Sequence, residues 1–166
     1  MHIIYPKIKR IWTDECEWIR EWDVYIQEKI DWANLQIWID ENNSIYIGSR
    51  TQIVYNENIN KWFNGAVEYV LKHEWIKKLL ADIPNIIIYW EWLVKHTIVY
   101  PVEHYNQFYM FDIFDKETWL FYNINDMYKI AWKYWILTPK LFYNWVITEE
   151  DARKFVWKTV LWDTWE

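Results

Sequence analysis

The chain has 166 residues, of which 24 are acidic and 18 basic, giving a formal charge of −6 and a pI near 5.3. That balance argues against a general nucleic-acid coat, which would be basic, and the single cysteine, Cys16, excludes an internal disulfide framework or cysteine metal cluster. One domain spanning 1–166 is expected, large enough for a real core.

Residues 24–30 read as a strand. Residues 33–39 alternate, with Leu35, Ile37 and Ile39 on one face and Asn34, Gln36 and Trp38 on the other. A turn at Glu41-Asn42-Asn43-Ser44 and an extended Ile45-Tyr46-Ile47 complete a β-hairpin. From Asn64 to Ala81, Val67, Val70, Leu71, Leu79 and Leu80 recur at helical spacing, with an interruption at Trp75, and Ile83-Pro84-Asn85 ends the helical region. The apolar runs 86–94 and 107–114 read as buried strands, the second making a hairpin with 119–124 through a turn at Trp119. A helix is expected over 125–134, opening at Asn125 or Asp126, then extended chain over 136–143. Thr148 is the N-cap of a last helix over 149–157. The class is α+β: antiparallel sheets with flanking helices. Residues 1–6 lack the apolar core of a signal peptide, and Ile86 to Val94, interrupted by Glu91, is too short to span a bilayer. A cytoplasmic monomer without membrane contact is the expectation.

Sixteen tryptophans and two glycines are an inversion of ordinary composition, in which glycine is about 7% of residues. Several tryptophans also occupy places suited to glycine. Trp119 ends the turn Asp115-Lys116-Glu117-Thr118-Trp119, where a hairpin needs a residue that tolerates φ > 0. Trp135 follows the helical stretch ending Lys133-Tyr134, at the position of a helix-terminating glycine. Trp22, Trp145 and Trp162 also sit in turn-like neighbourhoods. These features imply that most of the tryptophans are glycines read through the wrong genetic code, UGA being stop, Trp or Gly in different codes. The alternative is a genuinely Trp-rich chain.

With glycine at position 32, residues 28–34 (Glu28-Lys29-Ile30-Asp31-Trp32-Ala33-Asn34) read E-K-I-D-G-A-N. This resembles the K-x-D-G motif of ATP-dependent polynucleotide ligases, and Asn34 is similar to the RNA ligase 2 family, where DNA ligases usually carry arginine. Gly48-Ser49-Arg50-Thr51 resembles the second motif of the family. Tyr89-Trp90-Glu91-Trp92 becomes Y-G-E-W and resembles the third, with Trp92 a true tryptophan. Phe108-Tyr109-Met110-Phe111-Asp112-Ile113 resembles the next, F-Y-x-F-D-I. Counting Trp92 as genuine leaves 15 misread positions and, with Gly48 and Gly65, about 10% glycine against the usual ~7%. At the end of the sequence, Leu161-Trp162-Asp163-Thr164-Trp165-Glu166 reads L-G-D-T-G-E and looks like the approach to E-G-x-V-x-K. The two later lysine-bearing motifs do not follow, so an incomplete domain with weak or absent adenylation is expected.

The resemblance implies an ATP-grasp-like nucleotidyltransferase fold and an ATP-dependent RNA ligase using ATP and Mg²⁺. Lys29 would form a covalent lysyl–AMP, AMP would pass to an RNA 5′-phosphate, and a 3′-hydroxyl would then seal the ends. Desolvation in an apolar strand with Val24, Ile26 and Ile30 would lower the Lys29 pKa and free its lone pair. Otherwise Lys29 is an edge-strand solubility lysine. A residue without Cβ at Trp32 would let backbone and phosphate approach, whereas an indole would block them. Asp31 supports the turn, and Glu28 and Asn34 would orient the nucleotide or are plain surface polar residues. Arg50 resembles the ribose-contacting arginine; its alternative is a solvated hairpin charge. Phe111 would stack on adenine, or is ordinary core. Glu91, costly to bury alone, would contact the ribose or Mg²⁺, or form a salt bridge with Lys95. His2, His73, His96 and His104 have no metal-ligand spacing, although His96 and His104 could meet phosphate. The competing functions are an ATP-dependent DNA ligase and, if the tryptophans are genuine, a binding module that stacks indoles on sugars or bases. The Trp-bearing chain itself is expected to be inactive as a ligase.

Overall fold

The computed structural model describes residues 2–9, 13, 16, 24–30, 33–55, 63–94, 99–146, 148–155 and 161. They fall into two compact units: one of Met1–Tyr5 with Asp31–Thr138, the other of Pro6–Ile30 with Pro139–Glu166.

The larger unit is built on an antiparallel sheet. Its strands are β2 (Ala33–Ile39), β3 (Ile45–Ser49), β4 (Ile53–Tyr55), β5 (Ile86–Leu93), β6 (Gln107–Asp115) and β7 (Leu120–Phe121), in the spatial order β4-β3-β2-β5-β6-β7. The β2–β3 hairpin forms as the alternation predicts, with Ile37 opposite Ile47 and Ile39 opposite Ile45. Its turn is held by Asp40, whose Oδ1 accepts from the amides of Asn42 and Ser44 at 2.9 and 2.8 Å. Two short helices, α1 (Asn64–Lys72) and α2 (Glu74–Asp82), replace the interrupted helix, and the break falls at His73 instead of Trp75. The His73 backbone is extended there (φ −91°, ψ 106°), so the helical bond ladder cannot pass through it. Ala66, Val67 and Val70 of α1 and Ile76, Leu79 and Leu80 of α2 are buried. They meet Leu35, Ile37, Ile88, Trp90, Met110 and Ile113 in one core, each large side chain worth about 1.5–3 kcal/mol by its removal from water.

A third helix, α3 (Ile124–Tyr134), adds Met127, Ala131 and Tyr134 to that core. It opens one to two residues before the expected start because Asn123 is the N-cap, its side chain accepting from the Asn125 amide. The hairpin after β6 is shorter than the sequence suggests: β7 is two residues long, and both are exposed.

The opposite face of the sheet carries a smaller cluster of Trp38, Ile87, Tyr89 and Phe114, against which Ile3, Tyr5 and Phe111 pack. The N-terminal segment lies on this face. The Ile3 amide donates to Gln36 Oε1 at 3.2 Å, the His2 ring donates to Ser49 O at 2.8 Å, and the Tyr89 hydroxyl donates to Ile3 O at 2.8 Å.

The smaller unit pairs β1 (Val24–Gln27) with β8 (Leu141–Trp145) antiparallel and adds α4 (Glu149–Arg153). Thr148 caps α4 as expected, its Oγ1 accepting from the Asp151 amide at 3.1 Å. The described helix is shorter than 149–157, and residues 156–157 lie outside the described residues. No helix among the described residues is long and apolar enough to cross a membrane.

Candidate active site

In the larger unit, strand register gathers residues that the sequence scatters. Asn34 of β2 lies directly opposite Glu91 of β5, and Glu91 in turn lies opposite Tyr109 of β6. Because side chains alternate along a strand, Asn34 shares its face with Gln36 and Trp38, and Glu91 shares its face with Tyr89. That is also the face of Phe111, which packs with Tyr5 and Tyr89. Three of the candidate nucleotide-binding residues therefore stand on one sheet face.

An irregularity in β6 puts Phe111 and Asp112 together on this face. Opposite Tyr89 stands Asp112 and opposite Trp90 stands Met110, so Phe111 is the extra residue of a bulge. It is half-buried, and Tyr5 meets it edge-on, with centroids 5.1 Å apart and ring planes at 88°. Neither a fully buried core ring nor a free one is found.

Beside it sits a carboxyl group that the sequence reading did not single out. Asp112 Oδ2 accepts from the Tyr5 hydroxyl at 3.0 Å, and Oδ1 accepts from the Ile113 amide at 2.9 Å. Burial pushes the Asp112 pKa up to about 6, with both hydrogen bonds pulling the other way. The Tyr5 and Tyr89 hydroxyls are pushed above their ordinary range, by burial first and then by the Asp112 charge. Only an alternation argument over Tyr89 and Phe111 could have signalled this cluster, since Tyr5 lies far from both in sequence.

His104, in a short 3₁₀ turn of Val102–His104, places Nδ1 3.1 Å from the Tyr109 hydroxyl. It thus stands beside the Asn34–Glu91–Tyr109 row. His96 and Lys95 lie outside the described residues, and with them the proposed Glu91–Lys95 ion pair. Arg50 is exposed in the bend after β3. Gly48, two residues earlier, lies where an added Cβ would come within 2.6 Å of the His2 ring, so a larger residue there would have to displace that side chain.

In the smaller unit, β1 ends at Gln27, before the lysine of the motif, and Lys29 is exposed. The expectation that an apolar strand desolvates Lys29 is corrected: Ile30 is buried at 3% exposure, but the chain has left the strand and turns its lysine outward. Glu28 is buried, not a surface residue, and its amide donates to Lys140 O at 2.8 Å. Asp31 and Trp32 lie outside the described residues.

Among the described residues there is no group of three or more His, Cys, Asp or Glu side chains able to cage a metal ion. Glu91 and the facing Asn34 supply carboxylate and amide oxygens, a donor set suited to a hard cation that keeps water and phosphate as its other ligands.

Comparison with known proteins follows the same lines. A family model described as RNA ligase matches residues 23–162. An archaeal ATP-dependent RNA ligase (form 1) superposes with a TM-score of 0.69 at 18% identity, over 90% of this chain and 40% of its own. A Naegleria gruberi RNA ligase variant with ATP and Mn gives 0.71 at 12% identity, over 93% of this chain and 47% of its own. A putative ATP-dependent DNA ligase from Aquifex aeolicus gives 0.64 at 20% identity, over 92% and 41%. The chain thus spans less than half the length of these structures, whose likeness is one of fold. No curated protein matches it.

Proposed function

This chain belongs to the RNA ligase family, and on that premise we propose that it serves the ATP-dependent sealing of RNA ends, with Lys29 as nucleophile. Residues 1–166 are read as one nucleotidyltransferase domain. The observation that carries the reading is the register of the central strands: Asn34 faces Glu91 on the sheet surface that also bears Phe111, so three separate motifs supply one surface.

Lys29 is exposed and so can be reached by a nucleotide. Its amine, once deprotonated, attacks the α-phosphorus of ATP; the N–P bond forms as the bond to pyrophosphate breaks. An oxygen of the RNA 5′-phosphate then attacks that phosphorus and the lysine leaves as amine. Finally a 3′-hydroxyl attacks the activated 5′-phosphate, and AMP departs. Phe111 offers a partly open ring for stacking on adenine, and exposed Arg50 contacts the ribose. Glu28, Asp31 and Asn34 orient the nucleotide, with position 32 giving its phosphates room.

Glu91, assisted by Asn34, fits a Mg²⁺ ion whose remaining ligands are water and phosphate oxygens. When bound, that ion neutralises charge on the departing pyrophosphate. Glu91 also suits a ribose hydroxyl as acceptor, and Glu91→Gln separates these roles: loss that added Mg²⁺ rescues indicates the metal, and loss indifferent to Mg²⁺ indicates the ribose.

The competing reading, sealing of DNA, rests on the Aquifex aeolicus likeness, which is of fold alone. Asn34, where DNA ligases usually carry arginine, favours RNA. The deciding experiment offers the full-length protein 5′-phosphate and 3′-hydroxyl ends made of RNA or of DNA, with ATP and Mg²⁺. Joining of RNA ends supports the proposal, and joining of DNA ends alone overturns it.

A further inference from the structure

Four described non-glycine residues have positive φ: Asn43 (61°), Asn106 (57°), Trp119 (60°) and Trp135 (55°). Asparagine tolerates the left-handed region because its short polar side chain bonds locally; a bulky aromatic has no such compensation. Both indoles are also mostly exposed, at 61% and 83%, that of Trp119 meeting Phe114 edge-on with ring centroids 5.9 Å apart.

The surroundings of Trp135 specify the residue type. Its amide donates to Trp132 O at 3.3 Å, and the Ile136 amide reaches back to Ala131 O at 2.9 Å. These are the paired bonds of a Schellman motif, with Trp135 at the left-handed position that glycine usually fills. Ala131 and Ile136, the two positions whose apolar contact usually accompanies this motif, are both buried in the main core. At Trp119 the geometry is that of a hairpin closed by a left-handed residue. The Trp119 amide donates to Asp115 O at 3.0 Å, Asp115 Oδ1 accepts from the Glu117 and Thr118 amides, and β7 begins at the next residue. Each turn is complete without the indole.

The rival explanation is a surface of stacked indoles made to bind bases or sugars. Trp132 and Trp135 do stack, with centroids 5.8 Å apart. Binding needs exposed rings but has no use for positive φ, and an α3-interior residue such as Trp132 presents a ring without backbone strain. We infer that the codons for residues 119 and 135 are decoded as glycine in the cell that makes this protein. Wherever the same codon recurs, the same decoding holds. Packing gives no such signal at Trp92, which lies over Gly65, where an added Cβ would come within 3.4 Å of its ring, and meets Tyr69 edge-on, nor at Trp38 and Trp90, whose indoles are fully buried.

Two measurements test this. Peptide sequencing by mass spectrometry of the protein purified from its native cells is expected to find glycine at 119 and 135; tryptophan at either position overturns the inference. Independently, unfolding of Trp119→Gly and Trp135→Gly is compared with Trp119→Ala and Trp135→Ala, which remove the indole but keep the strain. Glycine is expected to raise the folded-to-unfolded ratio about fivefold or more over alanine at each site. At Trp132 the order reverses, because glycine is the poorer residue in a helix interior. Alanine equal to or better than glycine at 119 and 135 overturns the structural argument.

Discussion

The hydroxyl of Tyr5 donates to the carboxylate of Asp112 at 3.0 Å, tying the N-terminal segment to β6 of the sheet. Burial drives the Asp112 pKa from 3.8 up to about 6, so the folded protein holds a proton there that the unfolded chain has released. Between about pH 4 and pH 6 the native state binds more protons than the unfolded one, and stability therefore falls as pH rises through that window. The size is on the order of 2–3 kcal/mol. Asp112→Asn should lack this component: the difference in urea-unfolding free energy between the two proteins should change with pH from 4 to 6 and be constant above 7.

Tyr5→Phe should push the Asp112 pKa higher still. The hydroxyl stabilises the ionised carboxylate, and its removal leaves burial less opposed. The side-chain carbon resonance of Asp112, followed by NMR across pH 4–8, should titrate above 6 in the variant. An unchanged midpoint would mean that the hydrogen bond does not form in solution.

Gly48→Ala should destabilise the protein by about 1–3 kcal/mol through overpacking. The new Cβ would fall 2.6 Å from His2 Cδ2 and 3.1 Å from Gln36 Cγ, displacing the N-terminal segment. His2→Ala also loses the ring's bond to Ser49 O. In the double variant the clash has no partner, so the two costs should combine to less than their sum in a double-mutant cycle.

Tyr134→Phe should cost about 1 kcal/mol, because the Tyr134 hydroxyl donates to Asp82 Oδ2 at 2.5 Å and joins the ends of α2 and α3. The half-exposed Asp82 carboxylate can turn to water, which keeps the loss small. Chemical denaturation of the two proteins side by side measures it.

The parts of the fold that were legible in the sequence rest on local physics. Alternation in 33–39 defines the β2–β3 hairpin, Thr148 marks its helix start, and the contexts of Trp119 and Trp135 announce left-handed backbone that the structure contains. What was illegible depends on non-local partners. The facing of Asn34 and Glu91 needs the β2–β5 register, which no single strand encodes. Tyr5 and Asp112 lie at opposite ends of the sheet unit's sequence and show no shared period. Val24, Ile26 and Ile30 suggest an apolar strand around Lys29, yet the strand stops at Gln27 and the alternation stops with it. The start of α3 is ambiguous in the sequence because Asn125 and Asp126 compete with Asn123 as caps, and the Asn123 side chain is the one that accepts from the Asn125 amide.

The proposed transfer of AMP to Lys29 is open to intact-protein mass spectrometry. The full-length protein, decoded as in its native cell, would be incubated with ATP and Mg²⁺ beside its Lys29→Ala variant. A gain of one AMP is expected on the former and none on the latter. An adduct retained by Lys29→Ala, or none on either protein, would contradict that transfer.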